Sequence, residues 1–253
     1  MDRIHTGRTD IHFHALPGVD DGPATMEESL ELARLAVRDG TRTVVATPHI
    51  RREFVADPSE VRERVAELQD RLRLEGVPLY VLPGGELDAR MVPHLAQRDL
   101  SQIAIGPDGN RWLLLEAPFD GLAGLVDAAA ELRARGFGVV LAHPERAAGV
   151  LASGCKILRG LLGSGCVAQV SVTSLTGDHG HEAQVSAWTL VDYGLAYVLA
   201  SDAHSPARAP CLELGIDRLL AGGCTFATTR RLVDLNPREL VATGMPRRLA
   251  AAA

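Results

Sequence analysis

Between positions 9 and 23 the chain reads Thr-Asp-Ile-His-Phe-His-Ala-Leu-Pro-Gly-Val-Asp-Asp-Gly-Pro. His12 and His14 are interleaved with the apolar Ile11 and Phe13, a pattern that suits a β-strand. Successive strand side chains point to opposite faces, so the two imidazoles share one face. Pro17 and Gly18 end the strand, and Asp20 and Asp21 follow in the turn. Two imidazoles beside a carboxylate make a donor set for a divalent metal ion. Taken alone, a His-x-His pair is just as readily a surface or core pair, so its meaning depends on the rest of the chain.

Other apolar runs also end in metal-ligand types. His49 follows the run 41–47 through Pro48, and Glu86 follows the run 79–82 through Pro83-Gly84-Gly85. Trp112-Leu-Leu-Leu abuts Glu116, and the run 138–142 ends in His143-Pro144-Glu145-Arg146. The run 196–200 is followed by Ser201-Asp202-Ala203-His204. Each residue has a plainer reading: a turn histidine, a helix N-terminal acid, a strand-end charge, a helix cap. Jointly those readings are poor, because six of seven strands would carry a ligand type at the same end by chance. The remaining histidines, His5, His94, His179 and His181, stand among polar neighbours and read as surface residues.

The elements that position these side chains alternate along the chain. Thr25-Met26-Glu27-Glu28 is a capping-box start for a helix that Gly40 closes. Asp57-Pro58 opens a charged helix that runs to Leu74 and is closed by Gly76. Further helical patterns cover 122–135, 182–193 and 210–220, and strands cover 10–15, 41–47, 79–82, 112–115, 138–142, 167–172 and 196–200. Near-continuous apolar strands in a βα rhythm predict a parallel sheet covered by helices. The expected architecture is a single-domain α/β protein, a distorted (β/α)7 TIM-like barrel with its core over 9–240 and a flexible tail over 241–253. An open doubly wound sheet is the alternative, but no Gly-x-Gly-x-x-Gly follows the first strand. In a βα barrel the carboxyl ends of the strands converge on one rim, where active sites are built. His12, His14, Asp21, His49, Glu86, Glu116, His143, Asp202 and His204 then face one cavity.

Composition bounds the setting. The 253 residues are 46% apolar and 23% charged, and a net charge of −6 with scattered Lys and Arg argues against a nucleic-acid partner. The amino terminus is too polar for a secretory signal, and the apolar region 150–170 is broken by Lys156, Arg159 and glycines, which argues against membrane insertion. Cys155, Cys166, Cys211 and Cys224 lack Cys-x-x-Cys spacing and read as reduced thiols. The expected location is the cytoplasm.

The motifs Asp-x-His-x-His-x-Leu-Pro-Gly-x-Asp-Asp-Gly-Pro, His-Pro-Glu-Arg and Ser-Asp-Ala-His occur here in that order. In this the chain resembles the polymerase-and-histidinol-phosphatase (PHP) superfamily of metal-dependent phosphoesterases. Within it, the chain is most similar to the bacterial capsule-type protein-tyrosine phosphatases, from about Asp10 to Asn236-Pro237. The resemblance implies three divalent ions, manganese foremost, with iron or zinc as alternatives. It implies His12, His14, Glu86 and Asp202 around one ion, and Glu86, Glu116 and His143 around a second. Asp21, His49 and His204 would hold the third.

By the same resemblance, a metal-bridging hydroxide attacks phosphorus in line, Arg146 forks the phosphate oxygens and Arg208 is a second cationic clamp. Arg208 stands one residue nearer His204 than the family pattern has it, and a surface arginine at a helix start is its other reading. Arg51, Arg52 and Glu53 follow His49 and read as a rim gripping an acidic phosphotyrosine segment or as a solvated loop. The implied substrate is phosphotyrosine on a protein, a bacterial tyrosine kinase of capsular or exopolysaccharide assembly. A histidinol-phosphate-type small-molecule phosphatase is the rival reading. An amidohydrolase barrel would use a bridging lysine after a middle strand, whereas Lys156 is the chain's single lysine and follows no strand.

Overall fold

The structure, a computed structural model, describes residues 7–246 apart from Ala56. His5 and the end of the proposed tail, 247–253, lie outside the described residues. Among the described residues there are nine strands: β1 (Arg8–Phe13), β2 (Thr41–Ala46), β3 (His49–Ile50), β4 (Tyr80–Pro83), β5 (Glu86–Asp88), β6 (Trp112–Glu116), β7 (Gly138–Ala142), β8 (Val167–Ser171) and β9 (Ala196–Ala200). All ladders are parallel, in the orders β1-β2-β4 and β3-β5-β6-β7-β8-β9. The helices are α1 (Met26–Arg38), α2 (Glu60–Leu74), α3 (Gln97–Ile103), α4 (Ala123–Ala134) and α5 (Lys156–Gly163). They continue as α6 (Val172–Thr176), α7 (His181–Asp192), α8 (Leu212–Ala221), α9 (Phe226–Arg230) and α10 (Asn236–Thr243).

The seven expected strand positions are present, and two short strands that were not expected follow the second and third of them. Pro48 separates β2 from β3, and Gly84-Gly85 separates β4 from β5. Proline offers no N–H to a ladder, so the strand pauses there. A Cβ on Gly84 would lie 2.5 Å from Val45 Cγ1 and one on Gly85 2.7 Å from Ile50 Cγ1, so only glycine fits this crossing. The pieces beyond the breaks pair with each other, His49 opposite Glu86. Both expected ligands thus sit on short strands of their own rather than in loops.

Between β9 and β1 the barrel closes through single contacts instead of a ladder. Phe13 bridges Ala203, the Asp202 N–H donates to the His12 carbonyl at 3.0 Å, and the His14 N–H donates to the Ala203 carbonyl at 2.9 Å. The seam therefore lies between two of the ligand-bearing segments.

Period-two alternation sorts the strands into two apolar layers. Leu113, Leu115, Val139, Leu141 and Leu199 pack outward under the helices, while Trp112, Leu114, Val140, Ala142, Val198 and Ala200 fill the interior with Ile11 and Val45. At the amino ends of the strands α10 closes the barrel: Leu240 joins the interior cluster, and Trp112 Nε1 donates to its carbonyl at 2.9 Å. The tail placed from residue 241 thus starts within α10. The capping box at α1 forms as expected, with Thr25 accepting from the Glu28 N–H. The charged helix starts two residues after Pro58, because residues 58 and 59 are taken up by a turn that Asp57 caps. Among the described residues no helix is long and apolar enough to cross a membrane.

Candidate metal centre and active site

The carboxyl ends of the strands bring the nine expected ligands together: seven line one cavity, and the buried His12 and His14 share donor groups with them. His12 is the penultimate residue of β1, and His14 stands just beyond that strand. A register shift between Asp10 and Phe13 lets Ile11 join the interior core while His12 also turns to the site. Glu86 opens β5 and Glu116 ends β6, where it shares the inward face with Trp112 and Leu114. His143 and Asp202 follow β7 and β9 with φ of +33° and +54°, backbone conformations that non-glycine residues seldom adopt. Such strain persists where the surroundings fix it, and here both strained residues carry expected ligands.

The donor atoms form four overlapping groups, each with its atoms within 4.8 Å of one another. These are His14, Asp21, His49 and His204; His12, His143 and Asp202; His12, His14 and Glu86; and His49, Glu86 and Glu116. Glu86 lies at the centre, with His143 Nε2 at 2.8 Å, His49 Nδ1 at 2.9 Å and His12 Nε2 at 3.4 Å from its oxygens. His12, His14, Glu86, His143, Asp202 and His204 are buried, whereas the Asp21 side chain is 47% exposed and opens to the mouth.

Hydrogen bonding fixes what the imidazoles can do. The His143 backbone N–H donates to Gln169 Oε1, which orients that amide, and the same oxygen lies 2.9 Å from His12 Nδ1. Asp20 Oδ2 lies 2.7 Å from His14 Nδ1. Both Nδ1 atoms therefore carry the proton, and the two Nε2 lone pairs face each other 3.3 Å apart. Two lone pairs at that distance repel unless a cation stands between them. His204 repeats the arrangement, with Nδ1 donating to the Asp202 carbonyl at 2.8 Å and Nε2 turned to Asp21 at 3.3 Å. Glu86 Oε2 and His143 Nδ1 are buried without a hydrogen bond. Orphaned buried donors of this kind fit divalent ions.

The electrostatics agree. Burial disfavours the imidazolium of His12, but Glu86 and Asp202 outweigh it and push its pKa up to about 9. His49 rises to about 10 against burial, through Asp21 and Glu86. Glu86 is held well below the carboxylate range despite burial, by the His12, His14 and His143 imidazoles packed around it. Burial and the Glu86 charge raise Glu116. The centre concentrates negative charge that demands cations.

Cationic side chains line the mouth of this pocket of about 210 Å³. Arg146 donates to Asp202 Oδ2 at 2.8 Å, and Arg208 approaches the same oxygen at 3.3 Å and Asp21 at 3.6 Å. Arg208 therefore lies at the site despite its shortened spacing. Arg51 pairs with Glu116 and contacts His49 Nδ1 at 3.0 Å, inside the pocket. Arg52 and Glu53 instead line an adjoining hollow with Arg90 and His94. Phe54 and Phe119 complete the pocket wall. The chain's only lysine, Lys156, is exposed on α5 and is absent from this lining, so no lysine bridges the centre.

Several contributors escape a reading of strand ends. Asp20 also accepts from the backbone N–H of His49 and Gly22, both at 3.0 Å, and so ties the first turn to β3. Asp10, raised to about 6 by burial, accepts from the Ser201 and His12 N–H groups and clamps the β1–β9 seam. Glu145, raised to about 7 by burial, accepts from the Ser171 N–H and the Ser174 hydroxyl, anchoring the turn after His143. Gln169 was detectable as a polar residue inside an apolar run, in the one predicted strand that ends without a ligand. His179 corrects an expectation. It is half-buried, bonds the Thr173 hydroxyl at 2.9 Å, and is lowered to about 4 by burial and the charge of Arg146.

A family described as capsular polysaccharide synthesis, CpsB/CapC, matches residues 8–242. The tyrosine-protein phosphatase YwqE of Bacillus subtilis is 36% identical over 200 residues, covering 78% of this chain and 77% of that protein. The putative tyrosine-protein phosphatase CapC of Staphylococcus aureus is 30% identical over 215 residues, covering 83% of each. A solved structure from the work on YwqE of Bacillus subtilis and CpsB of Streptococcus pneumoniae, described as metal-dependent tyrosine phosphatases, superposes with a TM-score of 0.80. It is 30% identical and covers 95% of this chain and 96% of that one. A phosphotriesterase homology protein of Escherichia coli, 17% identical with a TM-score of 0.63 over 92% of this chain and 98% of its own, shares the barrel fold. A match over nearly all the described residues, on a barrel whose ligand-bearing strand ends carry the quoted motifs, makes this chain a member of the CpsB/CapC family.

Proposed function

We propose that this protein is a metal-dependent phosphomonoesterase that hydrolyses phosphotyrosine on proteins and thereby regulates capsular or exopolysaccharide synthesis. The convergence of seven ligand side chains with Arg146 and Arg208 on one pocket of about 210 Å³, joined through shared donor groups by the buried His12 and His14, carries this reading. The kinship with tyrosine-protein phosphatases supports the choice of substrate. We read the substrate as a bacterial tyrosine kinase and the setting as cytoplasmic. Three divalent ions, manganese foremost, would fit the donor set, and Glu86 belongs to two of the donor groups that would hold them. Iron or zinc suit the same nitrogen and oxygen donors.

Bound ions would supply Lewis acidity toward the phosphoryl oxygens and toward a water molecule. The protein's own groups do the rest. Arg146 and Arg208 orient the phosphate through charge-assisted hydrogen bonds. Asp202, which both contact, holds them at the mouth before substrate arrives. Asp20 and Gln169 keep the imidazoles of His14 and His12 turned with Nε2 inward. Tyrosine phenolate, with a pKa of ~10, leaves with little protonation help. The purified protein with manganese should hydrolyse a phosphotyrosine peptide in preference to histidinol phosphate and lose turnover on exhaustive chelation. Undiminished turnover after chelation contradicts the metal reading, and preference for histidinol phosphate contradicts the substrate.

A further inference from the structure

Phenylalanine is scarce here, five in 253 residues. Phe13 and Phe137 are buried, yet Phe54 and Phe119 stay 40% and 54% exposed, and both line the metal pocket. They come from different loops, Phe54 after β3 and Phe119 after β6. Each lies nearly parallel to an expected metal-ligand imidazole: Phe54 to His49 at 17° with centroids 5.6 Å apart, Phe119 to His143 at 20° and 6.1 Å. Guanidinium groups fix both rings further, Arg51 at 5.8 Å from the Phe54 centroid and Arg146 at 4.9 Å from that of Phe119. Two oriented, half-exposed aromatic rings at the mouth of a charged cavity leave apolar surface in water that a flat apolar ligand would cover.

We propose that Phe54 and Phe119 are specificity-determining walls that grip the ring of an aryl phosphate while its phosphate meets Arg146 and Arg208. This rests on the phosphotyrosine reading above and adds how the site would tell an aryl ester from an alkyl one. Aromatic pairs favour offset or edge-to-face contacts with centroids about 4.5–7 Å apart. Phe54 and Phe119 already hold that relation to the two imidazoles, so a docked ring would extend it toward the mouth. The competing role for Phe119 is to hold Arg146 by its cation–π contact alone, which would affect every phosphate ligand equally.

Phenylphosphonate and methylphosphonate carry the same phosphonate group and differ in the ring. Calorimetric titration of the manganese-loaded protein with each gives a phenyl-to-methyl affinity ratio. The wild type should favour phenylphosphonate by about tenfold or more, Phe119→Ala and Phe54→Ala should each lower that ratio about two- to tenfold, and the double variant should bring it near unity. Phe119→Tyr, which restores a ring, should restore the ratio. A ratio unchanged in the double variant, or an equal loss of both ligands, overturns the proposal. Turnover of a phosphotyrosine peptide, measured in parallel on the wild type, judges the functional reading separately. A protein that keeps the ratio shift but lacks that turnover would refute only the latter.

Discussion

The two ends of the barrel are built by opposite rules. At the amino end, Leu240 and Trp112 fill the interior, and the polar demand of the Trp112 indole is met by one backbone carbonyl. At the carboxyl end, buried histidines and carboxylates crowd together, two of them on left-handed backbone, with orphaned donor atoms among them. The first arrangement is what apolar burial favours on its own. The second is costly without cations, because buried charges and unpaired polar atoms each oppose folding. Stability and chemistry are thus divided along the barrel axis, and the interior apolar cluster lies between them.

That division can be broken or sharpened by substitution. Leu240→Ala removes a fully buried side chain and should cost about 2–5 kcal/mol of stability, read by denaturant unfolding, while kcat on a phosphotyrosine peptide stays within about twofold. A large loss of kcat at a temperature where the variant is folded would show that the ends are coupled. Arg146→Ala should do the reverse. A positioned cation on the phosphoryl group is worth roughly 10²–10³ in turnover, with metal content retained and the unfolding midpoint little changed. Asp20→Ala frees the His14 ring and should weaken metal affinity about 10–100-fold, measured by competition with a chelator. The smallest effect tests the separation itself. Stabilisation by added manganese should be equal in the wild type and in Leu240→Ala to within about 0.5 kcal/mol, since the sites share no partners.

The carboxyl end was legible in the sequence because an apolar run that stops abruptly at His or Glu is rare for a solvent-facing turn. Glu116 and His143 are each marked by such an edge, and Asp202 follows its run after a single serine. The splitting of β2 from β3 and of β4 from β5 was not legible. Pro48 and Gly84-Gly85 read as turns, and the two- and three-residue strands beyond them form only by pairing with each other. Asp10 lay hidden within a strand, since its partners at Ser201 are far along the chain and meet it only across the barrel seam. His179 differs from expectation for a related reason: polar sequence neighbours do not show that its imidazole reaches the Thr173 hydroxyl and lies near enough to Arg146 to feel its charge. The helix α10 gave little periodic signal over its eight residues, so its role in closing the barrel emerged only from the Leu240 contacts.

Glu86 is the side chain on which the metal reading turns, touching His12, His14, His49 and His143 at once. Elemental analysis of the protein purified with manganese, wild type beside Glu86→Ala, tests that reading most directly. The wild type should carry more than one divalent ion per chain. In the variant, bound metal should fall sharply and phosphotyrosine turnover should drop at least about 10³-fold. A Glu86→Ala protein with full metal content and full turnover would contradict the metal reading.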